Sequence, residues 1–424
     1  MMTSKTRREA FVWVWLHDET SPVVAGRLEA DISSGRRSIF FNYGKSYLER
    51  VNDSKPAMSI YEPELPLQAG VLPLTPGLVM PGCIRDAAPD AWGRRVIINK
   101  ILGLKGAGTD TAELDELTYL LESGSDRVGA LDFQRSPTEY VPRVANNVSM
   151  KELIESADRV ERGVPLTPEL DQALFHGSSI GGARPKALIQ AQGKKYIAKF
   201  SSSTDLYSVV KAEFIAMRLA ALAGLNVAPV KLTDAANKDV LLIERFDRIA
   251  NGEQWSRKAM VSALTILGLD DMMARYASYE NLAEIVRHRF SDPGDTLKEL
   301  FSRLVFNILC GNTDDHARNH AAFWDGRELT LTPAYDICPQ GRTGNEASQA
   351  MLISGNNNLS QLKICLESAR HYLLSEDQAR AITEGLIATI KQHWQEVCDE
   401  AGLSEVDRSL LWGRQFLNPF SLVY

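Results

Sequence analysis

The stretch that begins with the apolar segment TLKELFSRLVFNILCG and ends with AYDIC restricts the possible folds more than any other part of this sequence. The first segment has a strong 3.6-residue periodicity, which predicts a helix. GNTDDHARN follows it and places Asp314 five residues before Asn319. Asp325-Gly326 is then a type I′ turn signal between an apolar run and the alternating run ELTLT. We therefore predict a helix, a polar loop, a β-hairpin and then Asp336.

The three polar residues of this stretch have the types that phosphoryl transfer requires. That reaction needs an aspartate to accept the hydroxyl proton, and carboxylate and amide ligands for magnesium. Asp314 and Asn319 have the D-x4-N spacing of a kinase catalytic loop, and Asp336 follows the hairpin where kinases carry a metal-binding aspartate. Each residue alone could be a helix cap or a turn residue. Their order favours a kinase site, with Asp314 as the base.

A phosphate-binding region is predicted upstream. The strand YIAKF carries Lys199 among apolar residues, where an unpaired cation would be costly to bury, and it resembles the V-A-I-K lysine of kinases. Glu213, on a helix predicted from about residue 207 to 222, could pair with Lys199 or face solvent. GSSIGGARPK supplies Gly181 and Gly182, which would let backbone amides approach phosphates, although such glycine pairs are more often plain turns.

The order of predicted elements indicates an α+β protein with a protein-kinase-like, two-lobed fold. Residues 1–148 are predicted to be an extra N-terminal subdomain, β-rich and then helical. Residues 149–248 are predicted to form the N-lobe, which ends in the segment LLIERFDR. This segment suits a hinge that contacts adenine through Glu244 and Phe246, or a strand that ends in surface ion pairs. Residues 249–424 are predicted to be a mostly helical C-lobe.

The amino-acid composition limits the classes of protein to which this chain can belong. A hydrophobic content of 44% and a charged content of 24% are ordinary for a globular protein, and the net charge of −7 does not favour bulk binding of nucleic acid. The sequence has neither a signal-peptide pattern nor an apolar run of about 20 residues, so we expect a cytosolic protein without a membrane partner. Its five cysteines never form CxxC, and we expect them to be reduced and not to bind zinc.

Five segments, taken in order, carry a family resemblance: SSIGGARPK, YIAKF, ERFDR, GNTDDHARN and AYDIC resemble the signature segments of HipA toxin kinases. RDAAPDAWGRR is similar to a segment of that family's extra N-terminal subdomain. The resemblance implies ATP and magnesium as cofactors. It assigns Lys199, Gly181, Gly182 and Ala183 to the nucleotide phosphates, Glu244 and Phe246 to adenine, Asp247 to the ribose, Asp314 to base catalysis, and Asn319 and Asp336 to magnesium.

The resemblance also implies partners and a regulatory site. Family members phosphorylate aminoacyl-tRNA synthetases, notably that for glutamate, and a small helix-turn-helix antitoxin that binds operator DNA neutralises them. No such motif is evident in this sequence, so a HipB-like antitoxin would be a separate protein and contact with DNA would be indirect. The serine that family members autophosphorylate matches Ser179, with Ser178 adjacent. A phosphate there would add nearly two negative charges beside a site that must admit ATP.

Two other functions stay open. A small-molecule phosphotransferase shares the D-x4-N loop but usually has glycine before the aspartate, where this sequence has Thr313. An inactive kinase fold could instead serve as a binding module or a DNA-associated co-regulator. The presence of Lys199, Asp314, Asn319 and Asp336 argues against that reading.

Overall fold

The computed structural model describes residues 8–31, 37–102, 114–144, 149–161, 184–201, 205, 207–342 and 344–424. The strands of this part of the chain, numbered in chain order, are β1 Glu9–Val14, β2 Val23–Asp31, β3 Ser38–Tyr43, β4 Leu131–Gln134, β5 Lys186–Ala191, β6 Lys194–Phe200, β7 Val230–Ala235, β8 Lys238–Glu244, β9 Arg248–Asn251, β10 Gln254–Arg257, β11 Met260–Ser262, β12 Ala321–Trp324 and β13 Leu329–Leu331.

The α-helices of the same residues are α1 Lys45–Leu48, α2 Gly82–Arg85, α3 Ala91–Leu102, α4 Glu116–Glu122, α5 Met150–Glu161, α6 Val209–Leu222, α7 Ala263–Ile266, α8 Tyr279–Arg289, α9 Pro293–Cys310, α10 Leu362–Ser368, α11 Glu376–Glu400 and α12 Glu405–Leu411. Short 3₁₀ turns occur at Arg50–Asn52, Ala274–Tyr276 and Ala369–Tyr372. Within the described ranges, no helix combines the length and the apolar character that crossing a membrane requires.

The chain forms two compact units. The first comprises Met1–Ser202, Asp247–Val261 and Trp324–Arg327, and the second comprises Ser203–Phe246, Ser262–Phe323 and Glu328–Tyr424. The sequence predicts three parts, residues 1–148, 149–248 and 249–424, and this division stays a prediction.

A four-stranded antiparallel sheet organises the first unit. Its strand order is β3-β2-β1-β4, and β1 contains the apolar segment FVWV. At Gly26 of β2, a Cβ atom would lie 2.2 Å from the carbonyl oxygen of Asn42 on β3, so only glycine allows the two strands to approach this closely.

A buried ionic network lies at the end of this sheet. The guanidinium of Arg127 is fully buried and donates from Nε to Oδ1 of Asp132 at 2.9 Å, while Arg143 donates from Nη2 to the same oxygen at 2.7 Å. Burial alone would raise the pKa of Asp132, but these two cations outweigh it and hold the pKa below its ordinary value. Arg127 also donates to the carbonyl of Ala87, so the network ties β4 to the residues after α2.

Short turns join β5 to β6 and β7 to β8. Strands β5 and β6 are joined by Gln192 and Gly193, whose φ angles are 52° and 70°. Strands β7 and β8 are joined by Ala236 and Asn237, with φ angles of 50° and 61°. Positive φ at both central residues is the feature that matches a two-residue turn to the twist of its strands.

The hairpin predicted at Asp325-Gly326 forms, but its predicted turn type is wrong. Strand β12 ends at Trp324 and β13 begins at Leu329, so four residues connect them. Gly326 has a φ of 97°, whereas Asp325 does not have the positive φ that a type I′ turn requires. The Asp325 side chain accepts a hydrogen bond from the backbone N–H of Arg327 at 2.8 Å, and this local bond favours the longer connection.

Helices dominate the second unit, and α9 is a long helix whose C-terminal half is buried. Asp292 caps its N-terminus by accepting from the N–H of Asp295, and Pro293 occupies the first turn. Its inward face is fully buried, as the predicted periodicity required; the residues with no exposed surface include Leu297, Leu300, Phe301, Leu304, Val305, Phe306, Ile308 and Leu309. The start of the polar loop is therefore held against the core of this unit.

Glycines end α6 and α9 in the same way. Gly224 has a φ of 84°, and the N–H of Leu225 donates to the carbonyl of Ala220, which makes Gly224 a left-handed cap. Gly311 has a φ of 72°, and the N–H of Asn312 donates at 2.8 Å to a carbonyl one turn earlier in α9. The left-handed turn at Gly311 directs the chain out of α9 into GNTDDHARN.

We predict that Gly311→Ala lowers the free energy of unfolding by about 2 kcal/mol or more, because an L-residue in the left-handed region costs about 1–2 kcal/mol and steric overlap adds to it. A Cβ atom at Gly311 would lie 2.7 Å from the carbonyl oxygen of Gln415. Thermal and denaturant unfolding of the variant would measure the change.

Gly385→Ala is the matched control. Gly385 lies inside α11, and a Cβ atom there would have no neighbour within 4 Å. The control should raise the free energy of unfolding by about 0.5–1 kcal/mol, because alanine favours a helix interior. Equal stability of the two variants would contradict the strain at Gly311.

Candidate active site

The loop after α9 folds back on itself, so that the two ends of its D-x4-N motif meet. The side-chain Nδ2 of Asn319 donates to the carbonyl oxygen of Asp314 at 3.3 Å, and the N–H of Asn319 donates to the carbonyl of His316 at 2.8 Å. The Asp314 side chain is exposed, whereas Asn319 is buried. This geometry presents the carboxylate of Asp314 to a substrate and leaves Oδ1 of Asn319 as the group that could bind a metal.

Asp336 is fixed beside this loop from two sides. Tyr335 donates its hydroxyl to the carbonyl of Arg318 at 2.7 Å, and Asn312 donates its side-chain Nδ2 to the carbonyl of Asp336 at 3.4 Å. Asp336 itself has a φ of 59°, in the left-handed region where non-glycine residues are uncommon. A residue keeps this unfavourable backbone conformation only where the surrounding structure holds it, and such residues are frequent at functional sites.

The electrostatics of the loop suit a divalent cation. Partial burial raises the pKa of Asp314 above its ordinary value, and the carboxylates of Asp336 and Asp315 raise it further, while His316 opposes them. These carboxylates are therefore close enough to repel one another, and a bound cation would relieve the repulsion. Carboxylate and amide oxygens are the ligands that Mg²⁺ accepts, so the side chains of Asn319 and Asp336 are of the types that the predicted metal requires.

The inner side of the loop carries an interaction that sequence reasoning missed. Asp315 is buried, and its two carboxylate oxygens contact the hydroxyl of Tyr279 and Nε2 of His320, the latter at 2.9 Å. His320 is thus hydrogen-bonded to a carboxylate in the interior. The motif contains Asp315 and His320 directly follows it, but nothing local indicates their partner Tyr279, which lies 36 residues before Asp315.

Phe246 is the predicted adenine residue that the structure brings to this region. Its ring contacts Phe323 of β12 with 5.9 Å between centroids, and Tyr335 with 5.7 Å. Because Tyr335 directly precedes Asp336, the end of the ERF segment lies beside the segment that carries the predicted metal ligand. Glu244, two residues earlier, donates its backbone N–H to the carbonyl of Pro229.

Asp247 belongs to the first unit and has protein partners there. Its Oδ2 accepts from the backbone N–H of Gly129 at 2.8 Å and from Nη1 of Arg248 at 2.9 Å. The residue is 4% exposed, so these contacts favour a structural role. The predicted contact of Asp247 with the ribose stays a prediction.

The remaining predicted residues lie on other elements or outside the described part of the chain. Lys199 is buried on β6 of the first unit, opposite Lys186 of β5. Glu213 is buried on α6 of the second unit, and its pairing with Lys199 stays a prediction. The glycine-loop and serine predictions, on Gly181, Gly182, Ala183, Ser178 and Ser179, lie outside the described residues.

Comparison with known sequences matches this chain to a protein family. The sequence model of the HipA-like C-terminal domain matches residues 178–394. The chain is 26% identical over 345 residues to the Sinorhizobium fredii protein named "Putative kinase Y4mE", covering 74% of this chain and 75% of that protein. It is 27% identical over 185 residues to the serine/threonine-protein kinase toxin HipA of Shewanella oneidensis, covering 38% of this chain and 42% of that protein.

Comparison with solved structures shows the fold. HipA of Shewanella oneidensis, in a complex with HipB and its operator DNA, superposes with a TM-score of 0.69 at 19% identity, covering 97% of this chain and 100% of HipA. This likeness confirms the α+β, protein-kinase-like fold predicted from the sequence. Because the HipA-like C-terminal domain spans more than half of the chain and the fold matches along nearly all of it, this protein belongs to the HipA family.

Proposed function

We propose that this protein is a Mg-ATP-dependent protein serine/threonine kinase that acts in the cytosol as a HipA-like toxin. The observation that carries the proposal is the arrangement of Asp314 and Asn319 on one loop of the second unit, with Asp336 beside it on the segment after β13. Its substrate would be a translation protein, an aminoacyl-tRNA synthetase such as that for glutamate. Membership in the HipA family and the name of the Shewanella oneidensis relative support this choice.

The roles of the residues follow from their environments. The exposed carboxylate of Asp314 would accept the proton of a substrate hydroxyl as that oxygen attacks the γ-phosphate. Asn319 Oδ1 and the Asp336 carboxylate would hold magnesium, which neutralises charge on the phosphates when bound. Phe246 would contact the adenine ring, and Lys199 the phosphates. Phosphoryl transfer needs this positioning more than covalent chemistry.

We further propose that a separate HipB-like helix-turn-helix antitoxin binds this chain and links it to operator DNA. The solved Shewanella oneidensis complex contains HipA, HipB and DNA, which makes such a partner the natural candidate. In this arrangement the chain would contact DNA through the complex rather than alone, which accords with its net charge of −7.

The first prediction is that purified protein transfers the γ-phosphate of labelled ATP to an aminoacyl-tRNA synthetase, and that Asp314→Asn lowers the rate by about 10²–10⁴-fold, the usual contribution of a general base. Asparagine keeps the shape of the side chain but cannot accept the proton. Initial rates with the synthetases for glutamate and for other amino acids would measure both the rate and the preference.

Asp377→Asn is the control, because Asp377 is an exposed carboxylate at the start of α11 and should not affect the rate. Efficient turnover of a sugar, an aminoglycoside or choline, without transfer to protein, would favour a small-molecule phosphotransferase. Nucleotide binding without any transfer, unaffected by Asp314→Asn, would favour the inactive binding module.

The second prediction concerns regulation at Ser179. Incubation with ATP and magnesium should add one phosphate, located by mass spectrometry on Ser179 or on the adjacent Ser178, and activity should fall as it accumulates, because the added charge opposes ATP binding. Ser179→Ala should stay active if Ser179 is the modified residue, and Ser178→Ala tests the alternative. Full modification without loss of activity would contradict the regulatory role.

The third prediction concerns the antitoxin. The chain alone should not retard operator DNA on a gel, whereas a HipB-like helix-turn-helix protein from the same organism should, and the chain should retard that complex further. Retardation of DNA by the chain alone would contradict indirect binding. The absence of a complex with the helix-turn-helix protein would contradict the partnership.

A further inference from the structure

A triangle of buried polar side chains lies directly beneath the exposed Asp314. Tyr279, Asp315 and His320 are 0%, 1% and 3% exposed. The hydroxyl of Tyr279 donates to Oδ2 of Asp315 and lies 3.0 Å from Nε2 of His320, and this nitrogen lies 2.9 Å from Oδ1 of Asp315. Each side chain therefore contacts both of the others.

The direction of these hydrogen bonds follows from the chemistry of the groups. Burial, and then the charge of Asp315, raises the pKa of Tyr279 well above its ordinary value, so its hydroxyl keeps its proton and donates. Because the nearest neighbour of His320 Nε2 is a carboxylate oxygen, that nitrogen carries a proton and also donates. Asp315 thus accepts hydrogen bonds on both of its oxygens, which offsets the cost of burying its charge.

The triangle spans the same segment as the D-x4-N motif. Asp315 directly follows the proposed base Asp314, and His320 directly follows the proposed metal ligand Asn319. The bond between Asp315 and His320 closes this segment on its buried side, while the bond from Asn319 to the carbonyl of Asp314 closes it on the other. Two cross-links therefore fix the distance between the two functional residues.

Tyr279 connects this closed segment to the rest of the second unit. It is the first residue of α8, and its backbone N–H donates to the carbonyl of Leu352 at 2.9 Å. Two residues before Leu352, the N–H of Ala350 donates to the carbonyl of Thr313 in the loop at 3.0 Å. The start of α8 and the loop are thus held by the same backbone segment, and the Tyr279 hydroxyl adds a direct link between them.

We propose that Tyr279, Asp315 and His320 are positioning residues that set the separation between the base Asp314 and the metal ligand Asn319. An apolar cluster of the same volume would fill the space, but apolar contacts are not directional, whereas hydrogen bonds to a carboxylate fix angles as well as distances. The catalytic consequence rests on the proposed kinase function. The rigidity of the loop does not, and it can be measured separately.

Tyr279→Phe tests the proposal, because it removes one hydroxyl and keeps the ring that packs edge-on against His320 at 5.2 Å. Hydrogen exchange of the backbone amides of residues 312–322 should become about tenfold faster or more, since loss of a hydrogen bond to a charged group opens the loop locally. In the kinase assay, kcat should fall about tenfold while KM for ATP changes little, because positioning acts on the chemical step.

Tyr47→Phe is the matched control. Tyr47 is also a buried tyrosine, and its hydroxyl donates to the carbonyl of Met58 at 2.7 Å in the first unit. It should leave both exchange at residues 312–322 and kcat unchanged. Unchanged exchange in Tyr279→Phe, or the same acceleration in Tyr47→Phe, would overturn the proposal. If the wild type transfers no phosphate, the proposed function fails, and the exchange measurement still decides the positioning role.

A second pair of variants keeps the test informative if Tyr279→Phe unfolds. His320→Gln retains an N–H donor that can reach Asp315, whereas His320→Leu does not. The glutamine variant should have slower loop exchange and a higher kcat than the leucine variant. Equal values for the two variants would also overturn the proposal, because they would show that the His320 contribution is packing rather than hydrogen bonding.

Discussion

The left-handed turn at Gly311 is the constraint on which the rest of the site depends. It ends α9 inside a fully buried core, and the close approach of Gln415 leaves no room for a side chain there. The next residue, Asn312, uses its Nδ2 to bond both the side chain of Asn307 in α9 and the carbonyl of Asp336. Gly311 and the Asn312 side chain therefore connect α9, the polar loop and the segment that follows β13. Because the loop is anchored to the buried helix α9, the positions of its side chains are fixed relative to that helix.

Asp314 and Asp315 are adjacent carboxylates with opposite environments. Asp314 is exposed at the surface of the loop, whereas Asp315 accepts two hydrogen bonds in the interior. The carboxylate of Asp315 is held in the interior by Tyr279 and His320, while the adjacent Asp314 is bonded to Asn319 through its backbone carbonyl and keeps its side chain at the surface. One pair of adjacent residues thus supplies an exposed carboxylate and a buried, hydrogen-bonded one.

Much of the local structure could be predicted from the sequence, because it depends on neighbours in the chain. The periodicity of α9, the cap at Gly224 and the turn that joins β5 to β6 each follow from a few consecutive residues. The turn after Trp324 was predicted with the wrong type because the Asp325 side chain, rather than the dipeptide propensity, decides it. The role of Tyr279 was not predictable, since only the tertiary fold brings it to Asp315.

The ERFDR segment shows how tertiary contacts separate residues that a motif groups together. Phe246 is partly exposed and rests on two aromatic rings beside Asp336, so it keeps a surface on which a planar base could stack. Its neighbour Asp247 is buried, and its Oδ2 accepts hydrogen bonds from the backbone N–H of Gly129 and from the Arg248 side chain. A ribose hydroxyl at that oxygen would compete with a charge-assisted bond from Arg248, which is stronger than a neutral one. The adenine contact of Phe246 is therefore better supported than the ribose contact of Asp247, although the two residues are adjacent in one motif.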